Sequence, residues 1–123
     1  SCPRAARASV FLGDAALRER DRASATQHYE RALRVPRSNA SLRSYVHYKI
    51  ALLSSANATR LAHLLRARQL DRGSMRRHSE PDLADAIVRP LDAATWRTAV
   101  ARLGLTPEEE MSLERDLADA RRR

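Results

Sequence analysis

Long apolar runs are missing from this chain of 123 residues. No stretch approaches the roughly 20 consecutive apolar residues that a helix needs to cross a bilayer, so no membrane-spanning segment is expected. Cysteine occurs once, as Cys2, which leaves no internal disulfide and makes folding independent of an oxidising compartment. With one Phe, one Trp and three Tyr, the core has to be built from Ala, Leu, Val and Ile, and small aliphatic side chains suit close-packed helices better than a β-sandwich. Glycine and proline are scarce and runs of β-branched residues nearly absent, so intrinsic propensity points the same way and the expected fold class is all-α. Lysine is almost absent too, with Lys49 alone, so the net charge of +8 rests on arginine. An Arg- and Ala-rich composition is also what a GC-rich coding sequence produces. Even so, the planar guanidinium fork keeps an acidic protein, nucleic acid or an anionic lipid surface open as partner.

Catalytic and metal-binding constellations are equally missing. His28, His47, His63 and His78 fall in different segments without metal-ligand spacing, and none has a Cys or carboxylate at a recognised interval. There is no glycine-rich phosphate loop and no glycine-flanked nucleophile. The chain is therefore expected to be non-enzymatic, with no cofactor and no metal. A cytoplasmic location is favoured. The opening Ser-Cys also matches the trimmed start of a lipid-anchored bacterial lipoprotein, although no apolar signal core accompanies it.

What is present is helical periodicity. Residues 5–20 carry Ala8, Phe11, Leu12, Ala15, Ala16 and Glu19 at helical spacing, which predicts a first helix with that stripe inward. Asp21 and Ser24 offer caps for a second, which buries Ala25, Tyr29, Ala32 and Leu33 and is stopped by Pro36. A third helix is expected from Leu42 to about Ala56, and a fourth, capped by Asn57, through Leu61, Leu64, Leu65 and Ala67. "DRGSMRRHSEPD", 71–82, has no periodicity and reads as a loop. A short helix then starts at Ser79 and ends near Pro90, another starts at Asp92, and a last one starts at Thr106-Pro107 with Glu109 in capping position. The expected organisation is helical hairpins over 1–70, a linker over 71–81 and a C-terminal helical segment over 82–123, acting as a cap or a separate small bundle.

Within residues 13–35, "GDAALRERDRASATQHYERALRV", Gly13 lies inside one helix and Ala25 and Ala32 bracket Tyr29 in the next. Small residues at these places let two helices approach to the 8–10 Å at which antiparallel pairs pack. Leu12-Gly13, Ala25, Tyr29, Ala32 and Pro36 resemble the tetratricopeptide repeat over residues 6–39, with the proline one residue early and Ala16 where that family has an aromatic. The next unit keeps the length but not the alanine spacing. The resemblance implies an α-solenoid fragment of antiparallel hairpins that holds a protein or peptide segment along its first helices. Carried over residue by residue, it points to Arg7, Val10, Asp14, Leu17 and Arg18, with Tyr45, Tyr48 and Leu52 from the worn second unit. Val10 and Asp14 stand where some relatives place a carboxylate clamp, so chaperone-tail recognition is not implied. Unpaired repeat ends also imply self-association.

Other stretches carry rival readings. "TWRTAVARLGLTPEEEMSLERD", 95–116, is similar to a DNA-binding helix-turn-helix. Glu108, Glu109 and Glu110 would meet the phosphates first, however, which argues against it. It is also similar to the middle of a death domain, as in a signalling adaptor, with too few helices following. The plain alternative is a hairpin in which Trp96, Val100 and Leu103 pack on Met111, Leu113 and Leu117. In "RRHSEP", Ser79 has the form of a basophilic kinase site, where phosphate would add roughly −1.5 to −2 charge beside Arg76 and Arg77.

Overall fold

The computed structural model describes residues 3–123, which form seven α-helices and no strand. These are α1 (Pro3–Arg18), α2 (Arg22–Arg34), α3 (Ala40–Leu53), α4 (Asn57–Leu70), α5 (Ser74–Ile87), α6 (Ala93–Ala101) and α7 (Pro107–Arg122). The fold is all-α, as composition requires. Cys2, on which the lipid-anchor alternative rests, lies outside the described residues.

Local chemistry sets most boundaries. Asp21, rather than Ser24, caps α2 by accepting the Ser24 amide at 3.1 Å, and Asn39 caps α3 by accepting the amides of Ser41 and Leu42 at 2.7 and 3.3 Å. Thr106 and Glu109 form the expected reciprocal box at the start of α7, each accepting the other's backbone amide at 3.2 and 3.0 Å. Asn57 is not a cap: it is the first residue of α4, and its side-chain amide donates to the Ala86 carbonyl at 3.0 Å, tying α4 to the end of α5.

The first five helices stack in chain order. α1 packs on α2, α2 on α3, α3 on α4 and α4 on α5, while α6 and α7 lie against α4. This neighbour-on-neighbour arrangement is compatible with a helical repeat. The apolar side chains form two clusters. One joins α1, α2 and α3 around Tyr29, Ala32, Val46 and Ile50; the other joins α3 to α7 around Leu61, Leu64, Trp96 and Leu113. Helix α3 contributes to both. Ser44 bonds across the α3–α4 seam, donating to the Ala67 carbonyl at 2.6 Å.

Three expectations are corrected. Residues 71–81 are not a linker, because α5 begins at Ser74 and buries Met75, Ser79, Leu83 and Ala86 at helical spacing. Pro81 lies inside that helix on its exposed side, where proline has no amide to donate to the Arg77 carbonyl one turn back. The inward face of α1 is also different. Ala6, Ser9, Val10, Gly13 and Ala16 are buried, whereas Phe11 and Leu12 are 67% and 45% exposed. α1 has two apolar stripes, and the one with the smaller side chains meets α2. Finally, Met111 is 64% exposed and takes no part in the cluster that gathers Trp96 and Val100 of α6 with Leu113 and Leu117 of α7.

Candidate functional site

The residues expected to form a groove separate into a buried set and an exposed set. Asp14, on α1 beside Gly13, accepts hydrogen bonds from Tyr29 of α2 and from Tyr45 of α3, the latter at 3.0 and 3.1 Å to its two carboxylate oxygens. One carboxylate thus pins three helices. Burial first, then the hydrogen bond to Asp14, then its charge, push the Tyr45 phenol up to about 12 and the Tyr29 phenol in the same direction. Arg18, one turn along α1, opposes both shifts. Lys49 lies 5.4 Å above the Tyr45 ring as a cation–π partner.

Val10 and Leu17 belong to the first cluster, Val10 being only 8% exposed, so they support the site without presenting a surface. Arg7, Arg18 and Leu52 are exposed. Tyr48 does not join them: its hydroxyl turns to α5, donating to Asp82 at 3.3 Å and to the His78 carbonyl at 3.5 Å. The structure therefore brings Val10, Asp14, Leu17, Arg18 and Tyr45 together and leaves Tyr48 and Leu52 apart. Ser79 is fully buried within α5, not at a helix start, and its hydroxyl donates to the Met75 carbonyl at 2.7 Å. A kinase would have to unfold α5 to reach it.

Two features escaped the sequence reading. The first is the outer stripe of α1, where Phe11 lies on the same side as Arg4, Arg7 and Arg18, all exposed. The signal was there as helical spacing, but the apolar members were read as core. The second is a histidine pair. His47 of α3 and His63 of α4 approach with their Nδ1 atoms 2.8 Å apart and ring centroids 5.0 Å apart. One nitrogen must donate and the other accept, so the two rings cannot both be protonated in this arrangement. Burial holds His63 down to about 4, and burial, followed by His63, Arg43 and Arg66, holds His47 well below the ordinary imidazole range. No group of three or more His, Cys, Asp or Glu suited to a metal occurs among the described residues.

Glu109 connects this region to α7. Its carboxylate lies 2.6 Å from Arg66, and the Thr106 backbone amide, then Arg66, hold it below the usual carboxylate range. Gln69 extends the seam by donating to Ser112 at 3.3 Å and to Asp116 at 2.8 Å. Comparison with known proteins gives no match: no protein family, curated protein or solved structure aligns significantly with the chain.

Proposed function

We propose that the chain is a non-enzymatic protein-interaction module that holds an acidic, amphipathic helical segment of a partner protein against α1. The observation that carries this reading is the second apolar face of α1: Phe11 is 67% and Leu12 45% exposed, on a helix whose opposite face is already buried. Fully covering an aromatic or leucine side chain contributes about 1.5–3 kcal/mol, which is the usual anchor energy when an amphipathic helix docks through a few apolar residues. Arg4, Arg7 and Arg18 surround Phe11 and favour a partner with acidic flanks.

The test is a peptide-display selection on the immobilised chain, followed by affinity measurements on purified winners. Acidic amphipathic helices are expected to emerge, with Phe11→Asp weakening them at least tenfold and Met111→Asp, on the exposed side of α7, leaving them unchanged. Equal affinity for both variants would overturn the reading. Binding indifferent to Phe11→Asp but falling steeply with salt would instead identify the arginine surface as a general anion, nucleic-acid or membrane-surface binder.

A further inference from the structure

A cleft of about 440 Å³ opens between α4, α5 and α7, far from the α1 face and within the size range of small-molecule sites. Its layout follows from helix register. α4 and α5 form an antiparallel hairpin in which Arg68 pairs with Glu80 at 3.4 Å, so Arg72 and Arg76 lie toward the connecting turn and Leu65 and Leu83 lie away from it. α7 runs alongside α4 in the same direction, as the Arg66–Glu109 and Gln69–Asp116 contacts show, which brings Arg123 to the turn end. The cleft is thus cationic at one end, and its wall is apolar toward the other, where Leu83, Ala84 and Ile87 follow one another along α5.

The acidic side chains in the lining are already engaged. Glu80 is on Arg68, Asp116 accepts from Gln69 at 2.8 Å, and Asp119 accepts from Arg122 at 3.1 Å. Arg72, Arg76 and Arg123 form no ion pair among the described residues. Burial chiefly lowers the Arg68 pKa; Glu80 opposes it, and Arg76 and Arg123, near enough to act on Arg68, add to it. Guanidinium groups offer paired donors that match carboxylate and phosphate oxygens.

We infer that this cleft binds a small anionic amphiphile, a phosphate or carboxylate head on a short apolar chain, with the head between Arg72, Arg76 and Arg123 and the chain along Leu83, Ala84 and Ile87. Such a ligand would satisfy the uncompensated guanidiniums and cover the apolar wall at once, which neither a bare anion nor an alcohol does.

Titration calorimetry of the full chain tests this with hexyl phosphate and hexanoate, against inorganic phosphate and hexanol. At least one of the two amphiphiles is expected to bind tenfold or more tightly than inorganic phosphate and hexanol, and the preferred one identifies the head. Arg76→Glu should weaken it at least tenfold, and Ala84→Trp, which fills the cleft from an exposed position, should abolish it. Arg31→Glu, on the exposed side of α2, should leave it unchanged, and circular dichroism confirms that each variant is folded. Binding no tighter than that of inorganic phosphate overturns the inference, as does an equal loss in Arg31→Glu. Sedimentation with vesicles containing anionic lipid separates a free ligand from a membrane: attraction to vesicles alone, indifferent to Ala84→Trp, is surface electrostatics and also overturns it.

Discussion

Replacing Gly13 with alanine sets two effects of opposite sign against each other. Alanine in a helix interior is favoured over glycine by about 1 kcal/mol, so on an open helix surface the substitution would raise stability. Here a Cβ would stand 2.7 Å from Cε1 and 2.9 Å from Cδ1 of Tyr29. That ring is 0% exposed and its hydroxyl is held by Asp14, so it has no direction in which to retreat. Overpacking of this kind costs about 1–3 kcal/mol, and the balance is a net loss of about 1 kcal/mol, or about 4 °C in Tm for a domain of this size. The check is thermal and urea denaturation followed by far-UV circular dichroism, in the wild type and in a Tyr29→Leu background. In that background the obstruction is gone, and Gly13→Ala should turn stabilising by about 1 kcal/mol. If Gly13→Ala raises Tm equally in both, the glycine is not there to admit the ring, and the packing argument fails.

Acid should loosen the α3–α4 seam well before carboxylates protonate. Burial disfavours the protonated form of both His47 and His63, so their contribution is complete above the unfolded value near 6.5 and is lost as pH falls below it, for His63 down to about 4 at about 1.4 kcal/mol per pH unit, with His47 adding in the same direction. Urea titrations at successive pH values should show this slope in the wild type and a shallower one in His63→Phe; parallel slopes would refute it. The buried position of Ser79 predicts that Ser79→Glu loses at least about 3 kcal/mol, since a carboxylate would enter a fully buried site. A Ser79→Glu chain that melts like the wild type would mean that α5 does not bury this residue.

Legibility in the sequence followed the range of the interaction. Capping residues act on amides two or three positions away, so Asp92 and the Thr106–Glu109 box could be read directly. Gly13 was legible as a point of close approach, although the side chain it admits is the Tyr29 ring itself rather than the flanking alanines. Helix α5 was hidden because its buried stripe includes a serine and is interrupted by charged residues and a proline, which mimics a loop in any local window. The face of α1 was misread for a different reason. Both stripes satisfy helical spacing, and only the steric demand of α2 decides between them. Asp14 was singled out as a surface contact, but it proves to be a joint among three helices, because its tyrosine partners come from fifteen and thirty-one positions away. The cleft between α4, α5 and α7 depends on residues as distant as Arg72 and Arg123, which no spacing rule connects.

The two clusters meet at α3, and this division has consequences for where the chain yields first. The α3–α7 cluster closes on itself through the Asn57, Arg66 and Gln69 contacts, all of which cross between helices. The α1–α2 hairpin is joined to the remainder chiefly through α3, by the smaller cluster, by the Asp14–Tyr45 bond, and by hydrogen bonds from Arg22 to the Leu53 carbonyl and from Arg43 to the Leu33 carbonyl. A hairpin packed on one side only opens at lower free energy than helices held on several sides, as α4 is by α3, α5, α6 and α7. That same end carries Phe11 and Leu12 uncovered. A partner seated on them would by linkage stabilise the hairpin, by RT ln(1 + L/Kd) with L the free partner concentration. Amide exchange in α1 and α2 should therefore slow on binding while α4 and α7 are unaffected. This would distinguish a partner docked on α1 from any ligand held in the cleft, whose protection would fall on α4, α5 and α7 instead.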